Sequence, residues 1–116
     1  GQDIRVSIAD TEAARERGLS GRSHLAADEG MLFVFPKDGT YAFWMKDMQF
    51  SIDIIWLSAD PSTSSGPAAV VYMAQNVSPG TDPQTFQSNT PARYVLEHPA
   101  GYSKGYTVVI GDIVRL

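Results

Sequence analysis

The stretch "TYAFWMKDMQFSIDIIWL", residues 40–57, decides how this chain folds. Two blocks rich in aromatic and β-branched residues read as strands. Between them lies a polar centre with Lys46 and Asp47, and Asp53 sits inside the second block. The link near Met48 and Gln49 is short enough for a hairpin. Folded back at that point, the chain places Lys46 opposite Asp53, Trp44 opposite Ile55 and Phe43 opposite Trp56. Alternate residues share a face of a strand, so Trp44, Lys46, Asp53, Ile55 and Leu57 are expected on one side. A lysine opposite an aspartate is worth ~0.2–1 kcal/mol when exposed, and the lysine stem can lie along the Trp44 indole.

Working outward, "IRVSIAD" (residues 4–10) alternates apolar and polar positions like a half-buried strand. Asp10 or Thr11 can cap a helix over "EAARERG", which Gly18 can end. "SGRSHLAADEG" (residues 20–30) is a turn-rich connection with room for a short second helical turn. "GMLFVFP" (residues 30–36) is a near-continuous apolar run, as in a strand buried on both faces. "KDGT" (residues 37–40) reads as a hairpin turn. "AVVYMAQNV", "RYVLEHP" and "YTVVIGDIVRL" supply further strands, the last bent at Gly111 and Asp112. Two Pro/Gly/Ser/Thr stretches, 59–68 and 78–92, read as loops. The sum is about seven strands and one helix. Most connections are too short for parallel crossovers. The expected fold is α+β and mainly β: a curled, mostly antiparallel sheet or partly open barrel, with one main helix and room for a short second helical turn.

With 116 residues the chain fits a single domain over 1–116. A hydrophobic fraction of 43% supports a real core and argues against disorder. The net charge of −4, with only 9 Lys and Arg, gives no basic face for a nucleic-acid partner or an anionic membrane. No run approaches the ~18 apolar residues of a membrane span. The absence of cysteine excludes disulfides, thiol nucleophiles and thiolate metal sites. The chain opens at Gly1 rather than Met, which reads as a trimmed start, with removal of a processed leader as one expectation that fits it.

Four stretches taken together resemble one family. "ERGLSGRSHLAADEGMLFVF", "FWMKDMQFSIDIIWL", "ARYVLEHPAG" and "IGDIV" follow the order seen in the bacterial and archaeal family called domain of unknown function 192. They span residues 16–114. The chain departs from the family's pattern at Ser20 and Gly21, where a Met and an aromatic often precede the arginine matched by Arg22. The Ser/Gly/Pro stretch at 60–67 lengthens a connection that is often a short turn. Members commonly carry a signal peptide or lipoprotein-type leader. The resemblance therefore implies an exported domain: periplasmic, extracellular or membrane-anchored through a removed leader. It brings no established activity, so function is read from residues.

The candidate ligand-binding set is Trp44, Lys46, Asp53, Glu97 and Arg22. Charged groups at a hairpin end ordinarily brace the turn or stay hydrated; the alternative is a polar, ligand-facing cluster beside an aromatic wall. In "YVLE" Tyr94 and Leu96 share one face, Val95 and Glu97 the other. Glu97 ends an apolar strand, where it can brace the following turn, meet Lys46, or act as an acid/base group with Asp53. Arg22 sits off the regular helix and can pair with Asp28 or Glu97. Arg15 and Arg17 read as solvated or paired with Glu12 and Glu16. Phe33, Phe35, Phe43, Trp44 and Trp56 read as core, with one or two at a rim. His24 and His98 are expected at the surface or in caps, and their spacing gives no metal site. No G-x-S-x-G motif accompanies Ser20, Ser23 or Ser51. No cofactor loop is present, and no residue is assigned a catalytic role. Two functions follow. The first is a non-catalytic exported binding module for a small polar ligand, glycan or envelope partner. The second is a carboxylate-based hydrolase or lyase acting on envelope material, with Asp53 and Glu97 in one cleft.

Overall fold

The computed structural model describes residues 4–59, 68–101 and 110–114. Its strands are β1 (Arg5–Ala9), β2 (Glu29–Gly39), β3 (Ala42–Trp44), β4 (Ile52–Ser58), β5 (Ala68–Val77), β6 (Thr85–Gln87), β7 (Ala92–Pro99) and β8 (Ile113–Val114). One short helix, α1 (Glu12–Arg17), follows β1. The protein is mostly β, with a six-stranded sheet in the order β1-β2-β7-β4-β5-β8 curled into a half-barrel. Most of the loop expected at 59–68 and both ends of the closing strand read at 106–116 lie outside the described residues.

Helix α1 forms where its caps allow. The Thr11 hydroxyl accepts the Ala14 amide at 3.1 Å, and the Gly18 amide returns to the Ala14 carbonyl at 3.0 Å. Gly18 has φ +51, and a Cβ there would meet the Phe33 ring at 3.3 Å. A left-handed backbone and close ring contact both favour glycine. The chain then passes through turns at 18–21 and 27–28 before entering β2. Segment 10–28 is long enough to return in parallel. β1 therefore pairs β2 in parallel, the one such pair among the described strands.

The hairpin expected between the "FWMK" and "SIDIIWL" blocks does not form. β3 pairs β6, with Phe43 opposite Phe86, in a separate two-stranded ribbon. β4 instead has β5 on one edge and β7 on the other. Strand β3 stops at Trp44. The chain then turns through Met45–Met48, with Asp47 at φ +60 and the Met48 amide on the Met45 carbonyl at 3.1 Å. Lys46 thus lies in a turn and has no cross-strand partner. Six consecutive residues of β4, Ile52 to Leu57, are buried, and a strand so covered takes long neighbours on both edges. The "KDGT" turn is also corrected: β2 runs on to Gly39, which pairs Ala92 past an irregularity in the register.

Register assigns two faces. Met31 lies opposite Glu97, Phe33 opposite Val95, Ile54 opposite Glu97, and Trp56 opposite Val95. These side chains form the front face, whose core also holds Ala9, Leu19, Met45, Ile52, Val77 and Ala92. The helix, the turns after it and the β3–β6 ribbon cover this side. The back face carries Leu32, Ile55, Leu57, Val70 and Leu96. Asp53 and His98, opposite one another in the ladder, belong to the back face.

Candidate functional site

A cavity of about 340 Å³ opens on the front face between α1, the β3 segment and the end of β7. Its aromatic wall comes from Phe33, Phe35, Tyr41, Phe43 and Trp44. Phe33 meets Phe43 edge-on with centroids 5.0 Å apart, and Phe35 stacks on Tyr41 at 3.6 Å. The ribbon is tied down by Trp56, whose indole Nε1 donates to the Tyr41 carbonyl at 2.9 Å. Two further bonds join the walls: Ser20 Oγ donates to the Lys46 carbonyl at 3.1 Å, and the Gly21 amide donates to the Asp47 carbonyl at 2.9 Å. The helix side and the β3 side are therefore held at a fixed separation.

Glu97 lies at the inner end of this cavity and is only 5% exposed. Among the described residues its carboxyl receives no hydrogen bond and joins no ion pair. Burial alone pushes its pKa up to about 8, because the charged form is poorly solvated there. Glu97 is thus largely protonated at pH 7, a neutral acid facing an aromatic space.

Two of the three cations of the lining, Arg15 and Lys46, are engaged by other partners. Arg15 donates from Nη1 to the Val34 carbonyl at 2.8 Å and lies 5.3 Å from the Phe35 centroid. Lys46 is exposed and places its ammonium 5.4 Å from the Trp44 ring centre. Trp44 itself is half exposed at the rim. Arg17, Glu12 and Glu16 complete the charged edge.

Of the residues singled out in the sequence, Trp44, Lys46 and Glu97 come together around one cavity. Asp53 does not join them. It points to the back face, where its Oδ1 accepts the Asn76 amide at 2.8 Å. Arg22 is exposed and outside the cavity, and Asp28 pairs with Arg5 instead, at 3.3 Å. The Asp53/Glu97 pair required for a two-carboxylate mechanism is therefore split across the sheet. His98, expected at the surface, is buried at 1% exposure because β7 is an interior strand covered on both sides. Burial lowers its pKa, partly offset by the Pro99 carbonyl and by Asp53. The sequence reading missed Arg15 and Phe35 as lining residues. The family motif "GMLFVF" held the signal: its alternation puts Phe33 and Phe35 on the Glu97 side. No group of three or more metal-ligating side chains occurs among the described residues, and no described helix is long and apolar enough to cross a membrane.

A half-barrel closed on its front by one helix and a ribbon, with an acid at the base of an aromatic cavity, defines the class of domain. The family model for domain of unknown function 192, described as "Uncharacterized ACR", matches residues 1–116, and the chain belongs to that family. A crystal structure from Sinorhizobium meliloti 1021, named as a proposed transcription regulator, is similar at 31% identity and TM-score 0.83. The match covers 95% of this chain and 79% of that one. A protein of unknown function from Novosphingobium aromaticivorans DSM 12444 is similar at 28% identity and TM-score 0.86, covering 97% and 75%. No functionally curated protein matches the chain.

Proposed function

We propose that this domain is a non-catalytic binding module that holds one small molecule in the front cavity. The observation that carries the reading is Glu97: a buried carboxyl without a described hydrogen-bond donor, at the end of an open space. The side chain lines the open cavity, where a water or an incoming ligand can supply the donor that the described residues do not. The volume falls at the small end of ligand pockets, which run about 300–1,000 Å³. Aromatic walls with few polar groups suit a compact ligand with an apolar or flat body, and Trp44 at the rim can stack on a ring.

Acid catalysis is the second reading, favoured by the raised pKa of Glu97. It needs a companion group. The other carboxylates of the lining, Glu12 and Glu16, sit exposed on α1, and Asp53 faces away. The regulator name of the Sinorhizobium neighbour does not carry over as DNA binding, since a net charge of −4 supplies no phosphate-binding face. We carry export forward from the sequence, to be checked by fractionating cells that express the full-length gene product.

A thermal-shift and NMR screen against neutral, cationic and anionic single-ring fragments tests the reading. A true ligand raises the melting temperature by mass action and moves the amide signals of Phe43, Trp44 and Lys46. Fragments that shift signals only elsewhere, or none at all, overturn it.

A further inference from the structure

We infer that the ligand of this cavity carries a protonated amine, its ammonium against the Glu97 carboxylate and its apolar body along the aromatic wall. The inference rests on the cavity being a binding site and names the class of molecule it takes. The first support is a mismatch inside the chain. Arg15, Arg17 and Lys46 line the same space as Glu97, yet the ion pairs among the described residues are Arg5–Asp28 and Arg93–Asp38. Two of the lining cations are directed to ring faces, Arg15 over Phe35 and Lys46 over Trp44. The inner carboxyl is left without a counter-charge.

The second support is the wall itself. Aromatic faces attract cations through their quadrupole, and the two cation–ring contacts show that rings of this lining already do so. An ammonium entering between them meets several such rings and a carboxylate beyond. An anionic ligand fares worse. The charges that face the cavity are Glu12, Arg15, Glu16 and Arg17 on α1 and Lys46 after β3; β2 and β4 contribute apolar side chains next to Glu97. Glu12 and Glu16 offset most of the positive edge, and the inner end offers an acid.

Ionising Glu97 is a modest obstacle. At pH 7, one unit below a pKa of about 8, it lowers affinity about tenfold. Binding an ammonium therefore expels a proton, and affinity rises with pH until Glu97 is ionised in the free domain. A ligand that accepts a hydrogen bond from the neutral acid has the opposite dependence.

The test titrates the whole domain with 2-phenylethylamine, 2-phenylethanol and 3-phenylpropanoate at pH 6, 7 and 8, followed by amide NMR shifts. The amine is expected to move signals around Trp44 and Glu97. Its affinity should rise about tenfold from pH 6 to 7 and about fivefold from pH 7 to 8. Glu97→Gln should weaken amine binding and flatten the profile; if that variant does not fold, the wild-type profile decides alone. Binding of the alcohol or the propanoate at these residues without the amine overturns the inference and leaves the cavity reading standing. Amine binding that ignores pH also overturns it. Silence from all three overturns the inference and the cavity reading together.

Discussion

Glu97 and Asp53 are both buried carboxyl groups, on strands that lie side by side, and their surroundings differ completely. Asp53 faces the back of the sheet and receives the Asn76 amide; Asn76 holds a left-handed φ of +52 as the chain leaves β5. Glu97 faces the front, meets aromatic rings and open space, and is driven toward its neutral form. Asp53 is built into the fold. On Glu97 only burial acts, and this difference is what leads us to propose it as the ligand-facing group.

The largest effect that sharpens this contrast is in pH. Glu97 has a folded pKa of about 8 against an ordinary 4.5. The unfolded chain gives up that proton first, so stability is full below pH 4.5 and falls as pH rises towards 8. A span of about 3.5 units corresponds to roughly 5 kcal/mol. Urea unfolding of wild type and Glu97→Gln at pH 5, 7 and 9 should show this loss in wild type alone. Equal slopes would mean Glu97 is as well solvated as a surface carboxylate. His98, its neighbour on the back face, has the opposite sign. Its lowered pKa contributes stability that is complete above 6.5 and is lost as pH falls below that value. Acid therefore weakens the back of the sheet while alkali weakens the front.

Next in size is Asp53→Ala. It removes the acceptor of the Asn76 amide in a buried setting and should cost about 1–3 kcal/mol in urea unfolding. Glu97→Gln at pH 5 should change stability far less, since it replaces a neutral acid by a neutral amide of similar shape. If the two substitutions cost the same, the division of labour between the faces is wrong. The smallest effect is expected for Lys46→Ala, which is exposed, at under about 0.5 kcal/mol, with half-covered Trp44→Ala somewhat larger at about 1 kcal/mol. Their cost should appear in ligand affinity instead.

Much of the fold is legible in the sequence because period-two alternation survives into the structure. "YVLE" does place Val95 and Glu97 together and Tyr94 and Leu96 on the other side, and Thr11 and Gly18 do bound the helix. Strand pairing is less legible. Nearness in sequence favoured a β3–β4 hairpin, but β4 takes both edges from β5 and β7, and the partner of β3 is three residues inside a Pro/Gly/Thr loop. That error moved Asp53 into the candidate site, because a face assigned through the wrong neighbour carries its polar residues with it. Trp44, Lys46 and Glu97 line one cavity because each reaches the front face without relying on the β3–β4 pairing. Pro99 made His98 look like a strand end at the surface, although β7 is interior.

The ribbon that walls the cavity is not hydrogen-bonded into the main sheet. Two strands of three residues are marginal alone, so this piece stands on the Trp56–Tyr41 bond, on Phe43 packed against Phe33 and Trp56, and on Gln87 reaching Thr40. The acid sits on an interior strand of the six-stranded sheet, whereas Phe43 and Trp44 belong to a ribbon with only two short strands. Amide protons at 42–44 should exchange well before those of β7. An occupant spanning both would fasten the looser segment to the firmer one and slow that exchange without altering the fold beneath.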